Sequence, residues 1–192
     1  TNTHPPPHRA MNQGLIPSRY AKALFEYAAE KGDDSRLFEA MQQLTQSFAS
    51  EPALDKTMSN PFVPKADKAK LIYTAAGASQ GTDAVVDSFV SLLADNNRLD
   101  MARDIALAYL RIYRQRHNIR LVTVTSAAPM DAADEERLRR LIDAHLAGAT
   151  MDYHHEVDPD LIGGFTVSVD NERLDASVAN ELKQLRHNLL SK

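Results

Sequence analysis

Hydrophobic positions recur every three or four residues up to about residue 117, and every second residue in several stretches beyond it. That pattern predicts helices first and a mixture of strands and helices afterwards. The first helix covers residues 19–31, opened by Pro17 or Ser18 and stopped by Gly32. Ala21, Leu24, Phe25 and Ala28 form one apolar face, and Tyr20, Ala23 and Tyr27 form an adjacent one. A helix with a single core-facing side needs an arc of only about 100°. The excess is either buried by neighbouring helices or is one wall of a groove for a partner helix. Asp33-Asp-Ser35 caps a second helix with a single stripe, Leu37, Met41, Leu44 and Phe48. A short third helix starts at Ser50-Glu-Pro52 and carries Leu54 and Met58; Asn60-Pro61 then breaks the chain. Pro64 opens a fourth helix through residue 76, with Leu71, Ile72 and Ala75 inward and Gly77 as its stop. The fifth, residues 84–95, is capped by Gly81-Thr-Asp83 and is again broadly apolar: Val85, Val86, Phe89, Val90, Leu92 and Leu93.

Asn96-Asn97 turns the chain into a long sixth helix, with Ala102, Ile105, Ala106, Tyr109, Ile112 and Tyr113 on one face. Arg111, Arg114, Arg116 and His117 crowd its last turns, where cations complement the carbonyl end of the dipole. Asn118 is a left-handed stop. The short loops predict that neighbouring helices pack antiparallel in a compact bundle. Residues 119–125, Ile-Arg-Leu-Val-Thr-Val-Thr, are rich in β-branched side chains and predict a strand. Pro129-Met-Asp131 begins another helix with Leu138, Leu141, Ile142 and Leu146 inward; Glu135, Glu136, Arg137, Arg139 and Arg140 form a solvated face. Gly148 ends it.

Residues 150–158 alternate strictly, with Met151, Tyr153, His155 and Val157 on one side and Asp152, His154, Glu156 and Asp158 on the other. His154-His155-Glu156 with Asp158 has the look of a ligand set, but neighbouring strand residues face opposite sides and cannot share an ion. The Gly163-Gly164 pair lacks the further glycines and following helix of a phosphate loop, so it reads as a bulge or close backbone approach. Phe165, Val167 and Val169 predict a strand, Asp170-Asn171 a tight turn, and residues 172–175 the returning strand. A last helix starts at Asp175-Ala-Ser177 and aligns Val178, Leu182, Leu185 and Leu189, so its final turns are free to pair with another helix.

The fold class expected is therefore mainly α: an N-terminal six-helix bundle, residues 16–118, followed by a smaller α+β C-terminal domain, residues 119–192. Residues 1–15 read as a disordered tail. His4-Pro-Pro-Pro-His8 favours an extended chain, and Met11 is the expected natural start. The 192 residues are 43% hydrophobic, enough for real cores, and the formal net charge of -4 argues against a nucleic-acid surface. With no cysteine, disulfides and thiolate chemistry are excluded. No apolar run is long enough to span a membrane. No nucleophile, base and orienter come together, so no catalytic group, cofactor or metal is expected.

Four segments carry a family resemblance: Arg19-Tyr-Ala-Lys-Ala-Leu-Phe-Glu-Tyr-Ala28; Asn60-Pro61 with the Lys-rich helix start after it; Leu92-Leu-Ala-Asp-Asn-Asn-Arg-Leu99; and Leu161-Ile-Gly-Gly-Phe-Thr-Val-Ser-Val-Asp170 leading to Leu174-Asp-Ala-Ser-Val178 with Leu182 and Leu185. In this order and spacing the chain resembles the delta subunit of F-type ATP synthases, whose mitochondrial counterpart is the oligomycin-sensitivity-conferring protein. The resemblance implies a non-catalytic peripheral-stalk subunit. In that family the N-terminal bundle grips an amphipathic N-terminal helix of an alpha subunit, and the C-terminal part holds the C-terminal end of the b-subunit stalk. Together they stop the head from turning with the rotor. The family's groove lies between the first and fifth helices, the two whose apolar faces are wider than one stripe. Carried onto this chain, the resemblance implies a groove of Tyr20, Ala23, Leu24 and Tyr27 with Phe89 and Leu92; which stripe of the fifth helix faces outward is left open. Gly163 and Gly164 match the family's glycine pair. The implied location is peripheral, on the cytoplasmic face of a bacterial plasma membrane, with membrane contact only through the complex. Two other readings compete: a free-standing helical adaptor gripping some other amphipathic helix, and a small metal enzyme built on His154, Glu156 and Asp158.

Overall fold

The computed structural model describes residues 7–146, 148–159, 161, 165–170 and 172–173. The chain is mainly helical with one small sheet. Among the described residues the helices are α1 (Pro7–Lys31), α2 (Asp34–Ser50), α3 (Pro52–Ser59), α4 (Lys65–Ala75), α5 (Ala84–Asp95), α6 (Ala102–Arg116) and α7 (Ala132–His145). A single 3-10 turn (Leu99–Met101) precedes α6. The strands are β1 (Ile119–Ser126), β2 (Thr150–Val157), β3 (Phe165–Val169) and β4 (Glu172–Arg173). The chain divides into two compact units between Tyr113 and Arg114, inside α6.

The first unit holds α1 to α5 and most of α6. Its helix ends are written locally. Gly32, at φ 75°, lets Asp33 N–H return to the Ala28 carbonyl (2.9 Å) and its own N–H to Ala29 (3.1 Å), a Schellman closure of α1. Asn97, at φ 54°, does the same for α5 through Arg98 and Leu93 (2.8 Å). At the other end of α5, Asp83 caps by accepting the Val86 N–H at 3.2 Å. Helix α2 packs against α1, α3, α4 and α5 and buries Leu37, Ala40, Met41, Leu44 and Phe48. Each fully buried Leu or Met removes apolar surface worth about 2 kcal/mol from water. Around that stripe lie Ala21, Leu24 and Ala28 of α1, Ile72 of α4, Phe89 and Leu93 of α5, and Ile105, Ala106 and Tyr109 of α6.

Helix α1 starts at Pro7 rather than beside Pro17, so the tail expected through residue 15 is helical from there on. Pro7 occupies a first helical position, where its missing N–H costs nothing, and residues 9–13 are adequate helix formers. Pro17 lies inside the helix. Residues 1–6 are outside the described set, as are the Gly163-Gly164 pair and the expected last helix from Asp175.

In the second unit the sheet order is β2-β1-β3-β4, with β1 parallel to β2 and antiparallel to β3. A parallel pair needs a long crossover, and α7 supplies it. Asp131 caps α7 by accepting the Asp134 N–H at 2.8 Å. Leu138 and Ile142 of α7 form the core with Val122, Val124 and Val167 of the sheet. Asn118, at φ 52°, is the left-handed stop the sequence predicts, and its carbonyl accepts the Thr150 N–H at 3.0 Å, so the turn also sets the β1–β2 register. At the far end of β3, Asp170 (φ 51°) donates its N–H to the Leu121 carbonyl (2.8 Å). Its carboxylate accepts the Leu121 N–H (3.0 Å) and pairs with Arg120 (2.7 Å).

Candidate functional site

Helix α1 presents the expected second stripe. Tyr20 is half-buried, Ala23 is exposed and Tyr27 is 37% exposed, all at helical spacing on the face adjoining Ala21, Leu24 and Ala28. Helix α5 contributes Leu92, half-buried. The two helices touch here: a 3.2 Å hydrogen bond joins the Tyr27 and Ser88 hydroxyls, and Ser88 lies one turn before Leu92. Lys31 sits over the Tyr27 ring at 5.9 Å. The surface is thus an apolar, aromatic strip with a polar pin across it.

Two of the expected groove residues stand elsewhere. Leu24 is 3% exposed and Phe89 is 1% exposed, so both belong to the core and offer a partner no surface. The broad apolar arc of α5 is explained by burial of Val85, Val86, Phe89, Val90 and Leu93, which leaves Leu92 alone to continue the strip. Ser88, which no sequence signal singles out, takes the position facing Tyr27.

Polar contacts hold α5 from both sides. The Arg36 guanidinium donates through Nε to Asp83 (3.0 Å), tying the start of α2 to the cap of α5, and this bond raises its pKa further. Asp87 accepts the Tyr73 hydroxyl (2.7 Å) and the Gly81 N–H (3.0 Å). Burial, then that hydrogen bond, push Tyr73 up to about 12. Tyr109, deeply buried, donates to the Asp34 carbonyl at 3.0 Å, and burial raises its pKa strongly.

The histidine pair on β2 divides as strand alternation requires. His154 Nε2 lies 3.0 Å from Asp152, whose other oxygen takes the Arg114 guanidinium at 2.9 Å. His155 turns to the opposite face and meets Ser126 Oγ at 2.7 Å. Ser126 gives its only proton to the Ala128 carbonyl (2.6 Å), so the histidine Nε2 carries the hydrogen in that contact. A serine bonded in this sense is not activated as a nucleophile. Among the described residues no group of three or more His, Asp or Glu side chains is placed to hold a metal ion. The basic residues ending α6 are not one patch either: Arg114 pairs with Asp152, and Arg111 reaches Ser18 of α1 at 3.3 Å.

The family model for the ATP synthase delta (OSCP) subunit matches residues 16–189. The chain is 36% identical over 182 residues to the ATP synthase subunit delta of Bacteroides thetaiotaomicron, covering 95% of this chain and 97% of that protein. It is 37% identical over 180 residues to the same subunit of Parabacteroides distasonis, covering 94% and 98%. Prochlorococcus marinus has a delta subunit 31% identical over 171 residues, covering 88% and 93%. The fold resembles a chain in the Toxoplasma gondii mitochondrial ATP synthase hexamer, with a TM-score of 0.68, 20% identity, and coverage of 91% and 97%. The chain belongs to the ATP synthase delta (OSCP) subunit family.

Proposed function

We propose that this chain is the peripheral-stalk subunit of an F-type ATP synthase, a structural part rather than a catalyst. In this reading residues 16–118 form a six-helix bundle that takes the N-terminal helix of an alpha subunit on the strip of Tyr20, Ala23, Tyr27 and Leu92. Residues 119–192 hold the C-terminal end of the b subunit, and the chain sits on the cytoplasmic face of a bacterial membrane, attached only through the complex. Among the described residues no helix is long and apolar enough to cross a membrane.

The observation that carries the reading is the partly exposed aromatic strip on α1, continued by Leu92 and pinned through Tyr27 and Ser88, in a chain of this family. An amphipathic helix laid on it buries apolar area on both partners, worth about 25 cal/mol per Å² before association costs. Two separate docking points on one chain raise the effective concentration of the second, so modest affinities give a durable link.

Calorimetric titration of the full chain with a peptide covering the alpha-subunit N-terminus tests it. One-to-one binding with a negative heat-capacity change is expected. Tyr20→Asp or Ala23→Asp, which place a charge in the apolar strip, should weaken it at least about tenfold with helical content unchanged. A folded chain that binds no such peptide overturns the assignment and favours a helical adaptor for a different partner.

A further inference from the structure

Phe62, in the loop between α3 and α4, is 92% exposed, more than any other large hydrophobic side chain described. The loop that carries it is fixed. The Asn60 side chain accepts the Phe62 N–H at 2.9 Å, the Asn60 carbonyl takes the Val63 N–H at 3.4 Å, and Pro61 and Pro64 set the backbone on either side. A ring held out on a rigid turn loses little freedom when something covers it.

Beside it opens a cavity of about 370 Å³, whose apolar lining comes from Pro61 and Val63, the chain neighbours of Phe62, and from Leu99. Its polar lining is Ser59, Asn97, Lys65, Lys68 and Asp100. The two lysines stand in the first turns of α4, where the dipole disfavours cations, so helix stability does not explain them. Among the described residues neither makes an ion pair, whereas Lys70, two residues after Lys68, pairs with Asp67. On a chain of net charge -4, a partly apolar hollow with two lysines against one aspartate favours an acidic, apolar occupant.

We propose that Phe62 and this cavity form a second docking point of the helical unit, separate from the α1–α5 strip. It takes a partner polypeptide segment in which a large apolar side chain is flanked by carboxylates. The apolar group fills the hollow lined by Pro61, Val63 and Leu99, Phe62 covers it from the adjoining turn, and the carboxylates meet Lys65 and Lys68. The inference rests on the stator reading only in that the partner is another subunit of the same complex.

The test is reassociation of the full chain with ATP synthase stripped of this subunit. Phe62→Ala and the double variant Lys65→Glu with Lys68→Glu should each weaken it about tenfold, with thermal unfolding unchanged for Phe62→Ala and not lowered for the lysine variant, whose carboxylates suit the start of α4. The loss in the lysine variant should shrink as salt rises. A photoreactive phenylalanine analogue at position 62 should cross-link in the reassembled complex to a segment rich in Asp or Glu beside an apolar residue. Variants that rebind as the unaltered chain does, or a cross-link to a basic segment, overturn the second site and leave the stator reading intact. An unaltered chain that does not rebind at all overturns both.

Discussion

The two units solve the same problem with different means. In the helical unit, packed helices contribute apolar stripes to a core that includes Phe89, Leu37, Met41, Leu44 and Tyr109. Even its aromatic edge is packed: Phe38 stacks on Tyr113 with centroids 4.2 Å apart. In the sheet unit, the described core is Val122, Val124, Leu138, Ile142 and Val167, and charged side chains do much of the fastening. Arg114 grips Asp152, Arg120 grips Asp170, and Arg139 lies 4.0 Å over the Tyr153 ring. The lesson is that a helical unit can leave apolar surface over for a partner once its core is full. Among the described residues of the sheet unit the apolar core is small, and ion pairs fasten its edges.

The comparison breaks first at Phe89. Phe89→Ala should cost about 3–5 kcal/mol of stability in urea unfolding followed by helical circular dichroism. A loss under about 1 kcal/mol would mean that Phe89 is not core, which would return it to the candidate groove. Leu138→Ala in the other unit should cost about 2–4 kcal/mol, and here loss of the sheet signal ahead of the helical one is expected, since few other apolar side chains remain to hold α7.

Asp152→Asn sharpens the contrast. It leaves the Arg114 guanidinium, whose side chain is 15% exposed, facing a neutral amide. The expected cost is about 1–2 kcal/mol, confined to the sheet unit and only weakly reduced by salt because the pair is largely shielded from it. A change that disappears at moderate salt would make the pair an ordinary surface one.

The smallest effect is alkaline. Tyr73 loses its proton near 12 in the folded chain against about 10 when unfolded. Between these values the unfolded state has released a proton that the folded state keeps, so stability is full below pH 10 and falls as pH rises toward 12. Burial moves Tyr109 and Tyr113 the same way in the helical unit, as it does Tyr153 in the sheet unit. Tyr73→Phe should flatten the decline in melting temperature across that window. An unchanged slope would show that the hydroxyl is not held by Asp87.

What could be read from the chain alone was mainly local. Gly32, Asn97 and Asn118 each stop a helix in the left-handed region, and Asp83 and Asp131 each cap one, because these choices depend on a few neighbouring residues. Alternation along β2 separated His154 from His155 correctly for the same reason. Tertiary questions were harder. The wide arcs of α1 and α5 looked alike in sequence, yet in α5 all but Leu92 of the six expected positions are buried by neighbouring helices. Tyr27 meeting Ser88 and the solvent-facing Phe62 depend on how distant segments come together, and no periodicity reports that. The early start of α1 was hidden by Pro17, a residue that usually marks a helix beginning and here lies inside one.

Strand β1 has a consequence for how this part of the chain bears force. It is an interior strand that begins three residues after α6 ends, with eight register partners in β2 and five in β3. Tension that enters along the strand and leaves through either neighbour pulls the ladders lengthwise, so their hydrogen bonds are sheared together. They are not peeled one after another, as they would be on an edge strand pulled sideways. For a piece whose task is to stay put beside a turning rotor, an interior strand is a strong place to receive the pull.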